Sequence, residues 1–474
     1  MENFGCRATQ ADGAAIERQF QEQGLERAPE PNQAGIVVLN TCTVTAAADQ
    51  DARAAIRRIH RKNPEARIVV TGCYAQRAPE EIAALPGVSS VIGNSHKNEL
   101  AQITLRGPQT SDQGPRPTQS GFVPLVRLTS DVRGQRSEAR SPIFVADIFA
   151  HTELQAAPVF DAVNERTRPN LKVQDGCDNR CSFCVIPYVR GQSRSLPLVE
   201  IIREVETLVS TGYREVVISG INLGRWGRDL SNQTVSEIGQ QPRAKGQRLI
   251  FEDLVRAILS ETALQKLRIS SVEPMDWSDE LIDLVAASPR IAKHAHVPLQ
   301  SGSDAVLRRM HRKYRPWHYR EKIEKIHAAM PTAAIGADVM TGYPGETDAE
   351  LEETRRLIED LPFTYLHVFT YSARPGTPAA SAAGQVPIHV ARERNRMLRD
   401  LASQKKLAFM GMFVGRLLET ITLNIAGSDQ LGEYTEGLTD NYLPIRVRGK
   451  HQSNRWIPTK IERLLDGSLV GIAA

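Results

Sequence analysis

Twice along this chain, short β-branched runs alternate with stretches of helical periodicity, and that alternation limits the available folds more than any other feature. In the first hundred residues, Gly35–Asn40, Arg67–Thr71 and Val88–Ile92 read as strands, with helical patterns at Thr45–Lys62 and Pro79–Leu85 between them. From Arg168 to Ala380 the pattern returns with six strand candidates: Leu171–Gln174, Glu215–Ser219, Leu267–Ser271, His294–Val297, Ile335–Met340 and Leu366–Thr370. Helical stretches separate them at Leu198–Thr211, Phe251–Glu261, Asp279–Ala287, Tyr319–Met330 and Ala349–Leu361. Such a succession calls for parallel strands joined by crossover helices. The first block predicts an open parallel α/β sheet, and the second predicts a partial (βα)6 barrel of the TIM type. After a helix at Val390–Phe409 the chain turns to strands, Leu417–Asn424, Leu443–Val447 and Ser468–Ile472, and a small antiparallel β-barrel is expected.

A chain of 474 residues exceeds what one ordinary core holds, so several domains are expected. Residues 106–141 and 227–247, rich in Gln, Ser and Gly, show no sustained period and read as solvated inserts. The predicted division is 1–105 for the N-terminal α/β unit, 106–162 for a linker, 163–400 for the barrel and 404–470 for the closing β-unit. Hydrophobic residues at 41% and charged residues at 24% are globular proportions, which excludes disorder as the main state. No apolar run reaches about 18 residues, so no membrane partner is expected. The opening Met1-Glu2-Asn3-Phe4-Gly5-Cys6 lacks the basic and apolar regions of a signal peptide, and a cytoplasmic setting is expected. Fifty-nine basic against 55 acidic residues leave only +4. That is too little for non-specific nucleic-acid affinity, so no DNA partner is expected and any RNA must be held by a local patch.

Six cysteines in so long a chain do not make a disulfide scaffold, and metal or redox chemistry fits better. Cys177-Asp-Asn-Arg-Cys181-Ser-Phe-Cys184 follows directly on the strand ending at Gln174. Three thiolates on one loop can grip three irons of a cubane cluster that usually takes four thiolates, leaving one iron open. An open iron can take the amino and carboxylate groups of S-adenosylmethionine and reduce its sulfonium, making a radical. The rival is a structural zinc site, but no fourth cysteine or ligand-spaced histidine follows nearby. Cys6, Cys42 and Cys73 are scattered in sequence, yet Cys42 and Cys73 fall two residues past strand candidates and Cys6 follows a short strand start at Asn3–Phe4 in the same way. In an open parallel sheet those carboxyl ends line one edge, where ligands bind, so the three could meet and hold a second cluster. The alternative is three unrelated buried cysteines behaving as small hydrophobes. Their small or polar neighbours, as in Asn40-Thr41-Cys42-Thr43, suit a turn better than a core.

The loop Asp175-Gly176-Cys177 to Cys184-Val185-Ile186-Pro187-Tyr188, with Arg190-Gly191 and Arg194-Ser195, resembles the radical S-adenosylmethionine methylthiotransferases. The resemblance spans nearly the whole chain apart from the two inserts. Thr41-Cys42-Thr43-Val44-Thr45 with Ala48-Asp49, Ser271-Val272-Glu273-Pro274 and the run His367–Thr377 resemble the branch that modifies threonylcarbamoyladenosine beside the tRNA anticodon. Arg7-Ala8-Thr9-Gln10 departs from the Lys and Asn that commonly follow the first cysteine of the family, while Cys6 and Gln10 remain. The resemblance implies two 4Fe-4S clusters, at Cys177, Cys181, Cys184 and at Cys6, Cys42, Cys73, with S-adenosyl-L-methionine, tRNA and an unidentified electron donor as partners. The first cluster would generate the 5′-deoxyadenosyl radical and the second would carry sulfur. Other branches act on isopentenyladenosine or a ribosomal-protein aspartate, and a non-enzymatic iron–sulfur RNA-binding protein is the rival of a different class.

Further strand ends suit the same cofactor site. Gly220 and Asn222 lie in a turn after the second barrel strand, where backbone can approach the cofactor's methionine moiety. Ser271 and Glu273 end the third strand, and Glu273 could accept from ribose hydroxyls. Gln300, Ser303 and Thr347 bridge strands to helices; Ser303 and Thr347 suit the blander role of helix N-caps, and His296 and His367 that of lining residues. Near the C-terminus Arg446, Arg448, Lys450, Arg455, Lys460 and Arg463 face one sequence-local acid, Glu462, with Trp456 among them. A solvated basic face is the bland reading, and with the resemblance this strip becomes a predicted RNA contact at Arg446, Arg448, Lys450 and Trp456.

Overall fold

The computed structural model describes residues 1–106, 141–151, 154, 167–230 and 248–474. The N-terminal unit is one parallel sheet in the order β1 (Glu2–Asn3), β2 (Ile36–Thr41), β3 (Arg67–Gly72), β4 (Val88–Gly93) and β5 (Ile143–Phe144). Alternate residues of each strand bury on opposite faces. Val37, Leu39, Ile68 and Val70 pack beneath the helix Ala46–Lys62, and Val38 and Val69 pack with Ile16 and Leu100 on the other side. That two-sided burial is why these strands read as continuous apolar runs. Thr45 starts the helix 46–62 by accepting from the Ala48 amide at 3.2 Å. Two features were not foreseen. Arg7–Glu22 is a 16-residue helix, hidden in the sequence because its buried face is mostly small or polar, with Ala8, Thr9, Ala11, Asp12, Gly13 and Ala15 beside one Ile16. Ile143–Phe144 lies inside the stretch expected to be linker, yet it extends the sheet beside β4.

The central unit carries β6 (Asn170–Asp175), β7 (Arg194–Ser195), β8 (Glu215–Gly220), β9 (Lys266–Ile269), β10 (His294–His296), β11 (Ala334–Thr341) and β12 (Tyr365–Thr370). β6, β8 and β9 form one parallel ladder with β7 antiparallel at its edge, and β10, β11 and β12 form another. Single parallel bridges, Leu267–Ile291 and Ser271–His296, join the two. The helices lie outside, over an apolar layer that includes Leu171, Val173, Val216, Ile218, Ala337 and Val339. Their alternating neighbours face inward and are mostly polar, among them Lys172, Gln174, Glu215, Arg268, His296 and Asp338. All six parallel strands fall where the sequence put them. The third ends at Ile269, two residues before Ser271, because Pro274 opens a short 3-10 turn.

The long helix Ile388–Gly411 packs on β12 and leads to five further strands, β13 (Leu417–Asp429), β14 (Gly432–Thr439), β15 (Pro444–Arg448), β16 (Trp456–Leu465) and β17 (Ser468–Ala473). Their ladders close a ring in the order β13-β14-β15-β17-β16. The ring is not purely antiparallel as expected: β17 inserts between β15 and β16, and its ladder with β15 is parallel. β14 and β16 escape a sequence reading because glycine, proline and charged residues interrupt them. No helix among the described residues is long and apolar enough to cross a membrane. Most of both inserts lies outside the described residues. The start of the second does not: Arg228 and Asp229 belong to the site below.

Candidate active site

All six cysteines lie at the carboxyl edge of the parallel sheets. Cys6, Cys42 and Cys73 follow β1, β2 and β3, whose register places Asn3 beside Asn40 and Thr41 beside Gly72. Gly5 adopts φ +127°, and a Cβ there would stand 2.6 Å from the Cys42 Cβ, so only glycine lets the first strand end come this close. Burial, together with the nearby Cys73 and Cys6, pushes the Cys42 thiol up to about 12. Asn94 offers its Nδ2 to Cys73 Sγ at 3.6 Å. The sequence expectation that three strand ends converge is met in these positions.

The second trio occupies the loop between β6 and the helix Ile186–Arg190. Gly176 turns it with φ +73°; a Cβ there would meet the Gln192 carbonyl oxygen at 1.9 Å. The Cys177 amide donates to the Gly191 carbonyl at 3.1 Å, closing the loop on itself. Burial raises Cys177 to about 11 and Cys184 to about 12. Cys42, Cys177 and Cys184 are therefore protonated thiols that must lose their protons to bind iron, as such ligands do. No three His, Cys, Asp or Glu among the described residues converge as one bound ion requires, whereas a cubane takes its thiolates on separate irons. Cys73, Val185 and Val189 pack in one apolar cluster, so the helix after Cys184 is a wall common to both sites.

Around the second trio, Gln174 connects two loops: its Oε1 accepts from the Asn222 amide at 2.7 Å and its Nε2 donates to the Gly176 carbonyl at 2.9 Å. Gly220 lies against Gln174, 2.8 Å from a would-be Cβ to Oε1. Asn222 directs Nδ2 to Cys177 Sγ at 3.8 Å. Glu273 pairs with Arg312, whose Nη1 reaches Cys181 Sγ at 3.3 Å. Gln300 is held in the left-handed region at φ +65°. A cavity of about 300 Å³ beside the loop is lined by Asn179, Ser193, Asn222, Arg225 and Asp229, among others. Ser219 Oγ, Asn222 Oδ1 and Gln300 Oε1 are buried there or nearby without a hydrogen-bond partner among the described residues. Orphaned polar atoms at strand ends fit a polar ligand, as the amino-acid moiety of S-adenosylmethionine is. Ser271 bridges to His296 instead of ending its strand. Thr347 caps its helix, accepting from the Glu350 amide at 3.3 Å, while Ser303 makes no such bond.

A buried charge network that the sequence does not announce ties the two trios together. Asp12 bonds Lys97 at 2.8 Å, Arg190 at 2.9 Å and Lys172; Asp175 bonds Lys172 and Arg190, each at 2.9 Å. Burial pushes both carboxyls up, but these cations outweigh it and hold Asp12 and Asp175 well below the usual range. The one sequence signal is Lys172, a lysine in a strand whose neighbours are buried.

The C-terminal strip differs from expectation. Folding brings two acids to it from elsewhere, with Arg446 pairing Asp429 at 3.1 Å and Lys450 pairing Glu433 at 3.0 Å, while Arg448 pairs the sequence-local Glu462 at 3.3 Å. Trp456 is half-buried, with Lys266 Nζ 5.1 Å from its ring centre. Sequence-local charge counting misses this because β13 and β14 supply the acids across ladders.

Residues 1–93 match a family described as "Uncharacterized protein family UPF0004", and residues 171–358 match the Radical SAM superfamily. The fold and the three-cysteine loop thus define a radical S-adenosylmethionine protein. The threonylcarbamoyladenosine tRNA methylthiotransferase of Bacillus subtilis is 34% identical over 94% of this chain and 89% of its own length. That of Aquifex aeolicus is 33% identical over 94% of this chain and 96% of its own. The tRNA-2-methylthio-N(6)-dimethylallyladenosine synthase of Erythrobacter litoralis is 32% identical over 89% and 85%. The chain belongs to the radical S-adenosylmethionine tRNA methylthiotransferases.

Proposed function

We propose that this chain adds a methylthio group to carbon 2 of N6-threonylcarbamoyladenosine beside the tRNA anticodon. The observation that carries this is the packing of Cys73 against the start of the short helix that follows Cys184, which brings the two three-cysteine sets close together. A cluster bound by Cys177, Cys181 and Cys184 supplies the electron that cleaves S-adenosylmethionine, and one bound by Cys6, Cys42 and Cys73 supplies sulfur. The chain's own residues position the reactants. Gly220 keeps the turn after β8 open, Asn222, Ser271 and Gln300 offer polar contacts to the cofactor, and Glu273, fixed by Arg312, faces its ribose. The buried cations around Asp12 and Asp175 hold the helix Arg7–Glu22 against β6, which sets the spacing of the two sites. Residues 1–105, with Ile143–Phe144 added at the sheet edge, form the sulfur-donor unit, 163–400 the radical core and 404–470 an RNA-binding barrel. Of the three cations predicted to touch RNA, Arg448 and Lys450 are more exposed than Arg446.

Mass spectrometry of tRNA nucleosides tests this. A deletion strain should lack 2-methylthio-N6-threonylcarbamoyladenosine and regain it with the wild-type gene but not with Cys42→Ala. A normal nucleoside profile in the deletion strain would sink the proposal.

A further inference from the structure

The inward face of the open barrel carries one cation with no carboxylate partner. Lys172 is taken by Asp12 and Asp175, and Arg268 by Glu215, with Nε to Oε1 at 2.6 Å. Arg7 is different. It enters the barrel from the N-terminal unit, one residue after Cys6, and its carbonyl accepts from Asn170 Nδ2 of β6 at 3.0 Å. Its guanidinium donates from Nη2 to the Tyr442 hydroxyl of the C-terminal ring at 3.3 Å. Among the described residues no carboxylate lies within ion-pair distance of it, and a half-buried guanidinium has five N–H donors to satisfy.

Arg7 is half-buried beside the inner face of the barrel, where some side chains stay exposed. After burial and neighbouring groups, its charge bears on His367 and His294 of the inner face. His367 is exposed although it faces inward, and Asp338, 3.4 Å from His296 Nε2, keeps 31% of its side chain open. A ligand entering between the N-terminal unit and the barrel meets these groups with Arg7 as the unpaired positive charge.

We propose that Arg7 binds the carboxylate of the substrate's N6 side chain and so selects an acid-bearing adenosine over a neutral one. This rests on the function proposed above. The threonylcarbamoyl group ends in a carboxylate, whose geometry suits the guanidinium fork. A hydrocarbon substituent such as dimethylallyl would leave Arg7 desolvated and unpaired, so the same residue attracts one substrate and penalises the other. Because Arg7 adjoins Cys6, holding the carboxylate there also fixes the base relative to the sulfur-bearing site.

The test uses cluster-loaded protein at equal iron content and a stem-loop RNA carrying adenosine, N6-threonylcarbamoyladenosine or its neutral threoninamide at one position. By fluorescence anisotropy the wild type should bind the acid RNA about tenfold tighter than the amide RNA. Arg7→Gln should bring that ratio near one by weakening the acid RNA alone, and Arg7→Lys should restore part of it. In turnover, Arg7→Gln should raise KM for the acid RNA more than it lowers kcat. Equal weakening of all three RNAs would assign Arg7 to a backbone phosphate and overturn the proposal, as would an undiminished preference in Arg7→Gln. A wild type that prefers the acid RNA yet never methylthiolates it would support the Arg7 contact and overturn the proposed function instead.

Discussion

Replacing Asp12 by Asn tests the idea that buried charge, more than apolar contact, docks the N-terminal helix onto the barrel. Asp12 is 1% exposed, and its carboxylate faces three cations, Lys97, Lys172 and Arg190. With Arg194 the enclosed set holds four cations against Asp12 and Asp175. The substitution keeps the shape but leaves Asp175 alone against all four. Removing one partner from a buried ion cluster costs about 3–5 kcal/mol, because the remaining charges stay desolvated. At about 2–4 °C per kcal/mol for a domain of this size, melting should drop by on the order of 10 °C in scanning calorimetry. Hydrogen exchange should quicken first along the helix Arg7–Glu22. Adding Lys172→Met should recover about 1–2 kcal/mol by removing one stranded charge. A melting temperature within about a degree of wild type, or a double variant worse than the single, would refute the reasoning.

Anaerobic reconstitution should load about eight irons per chain, and Cys177, Cys181 and Cys184 changed together to Ala should leave about four; a full load in that variant would break the two-site assignment. Arg448 and Lys450 changed to Gln should flatten the salt dependence of tRNA binding by about one unit for each phosphate no longer neutralised, measured by filter binding. Arg446→Gln should leave it unchanged, because Asp429 and the Tyr434 ring already hold that side chain. Asp12, Asp175 and Glu215 all titrate below their ordinary values of 3.8 and 4.5, so the unfolded chain takes up protons before the folded one does. Stability from these groups is present above about pH 4.5 and is lost as pH falls through their folded values, which acid titration followed by circular dichroism should show.

The fold's parallel strands are legible in the sequence because burial on both faces writes continuous apolar runs, as at Ile36–Thr41 and Arg67–Gly72. Cys42 and Cys73 are legible because each stands just past such a run, and Cys177, Cys181 and Cys184 because they share one loop. What escapes is set by partners distant in sequence. Asp12 looks like one polar residue among alanines until Lys172 is brought to it, and Arg312 has no local mark of its approach to Cys181. The basic strip looks freer in sequence than it is for the same reason: Asp429 and Glu433 lie on other strands. Helix Arg7–Glu22, with its weak apolar stripe, is the clearest case of tertiary packing deciding where periodicity is faint.

The alternation along β6 has a consequence for how such an enzyme changes over generations. Leu171 and Val173 face the helices, and Asn170, Lys172 and Gln174 face the barrel interior. Residues that pack against the helices and residues that line the interior are thus adjacent in the gene but separate in space. A lineage can rewrite the interior one side chain at a time while the outer layer is inherited unchanged. New substrates then become reachable by drift through intermediates that still fold.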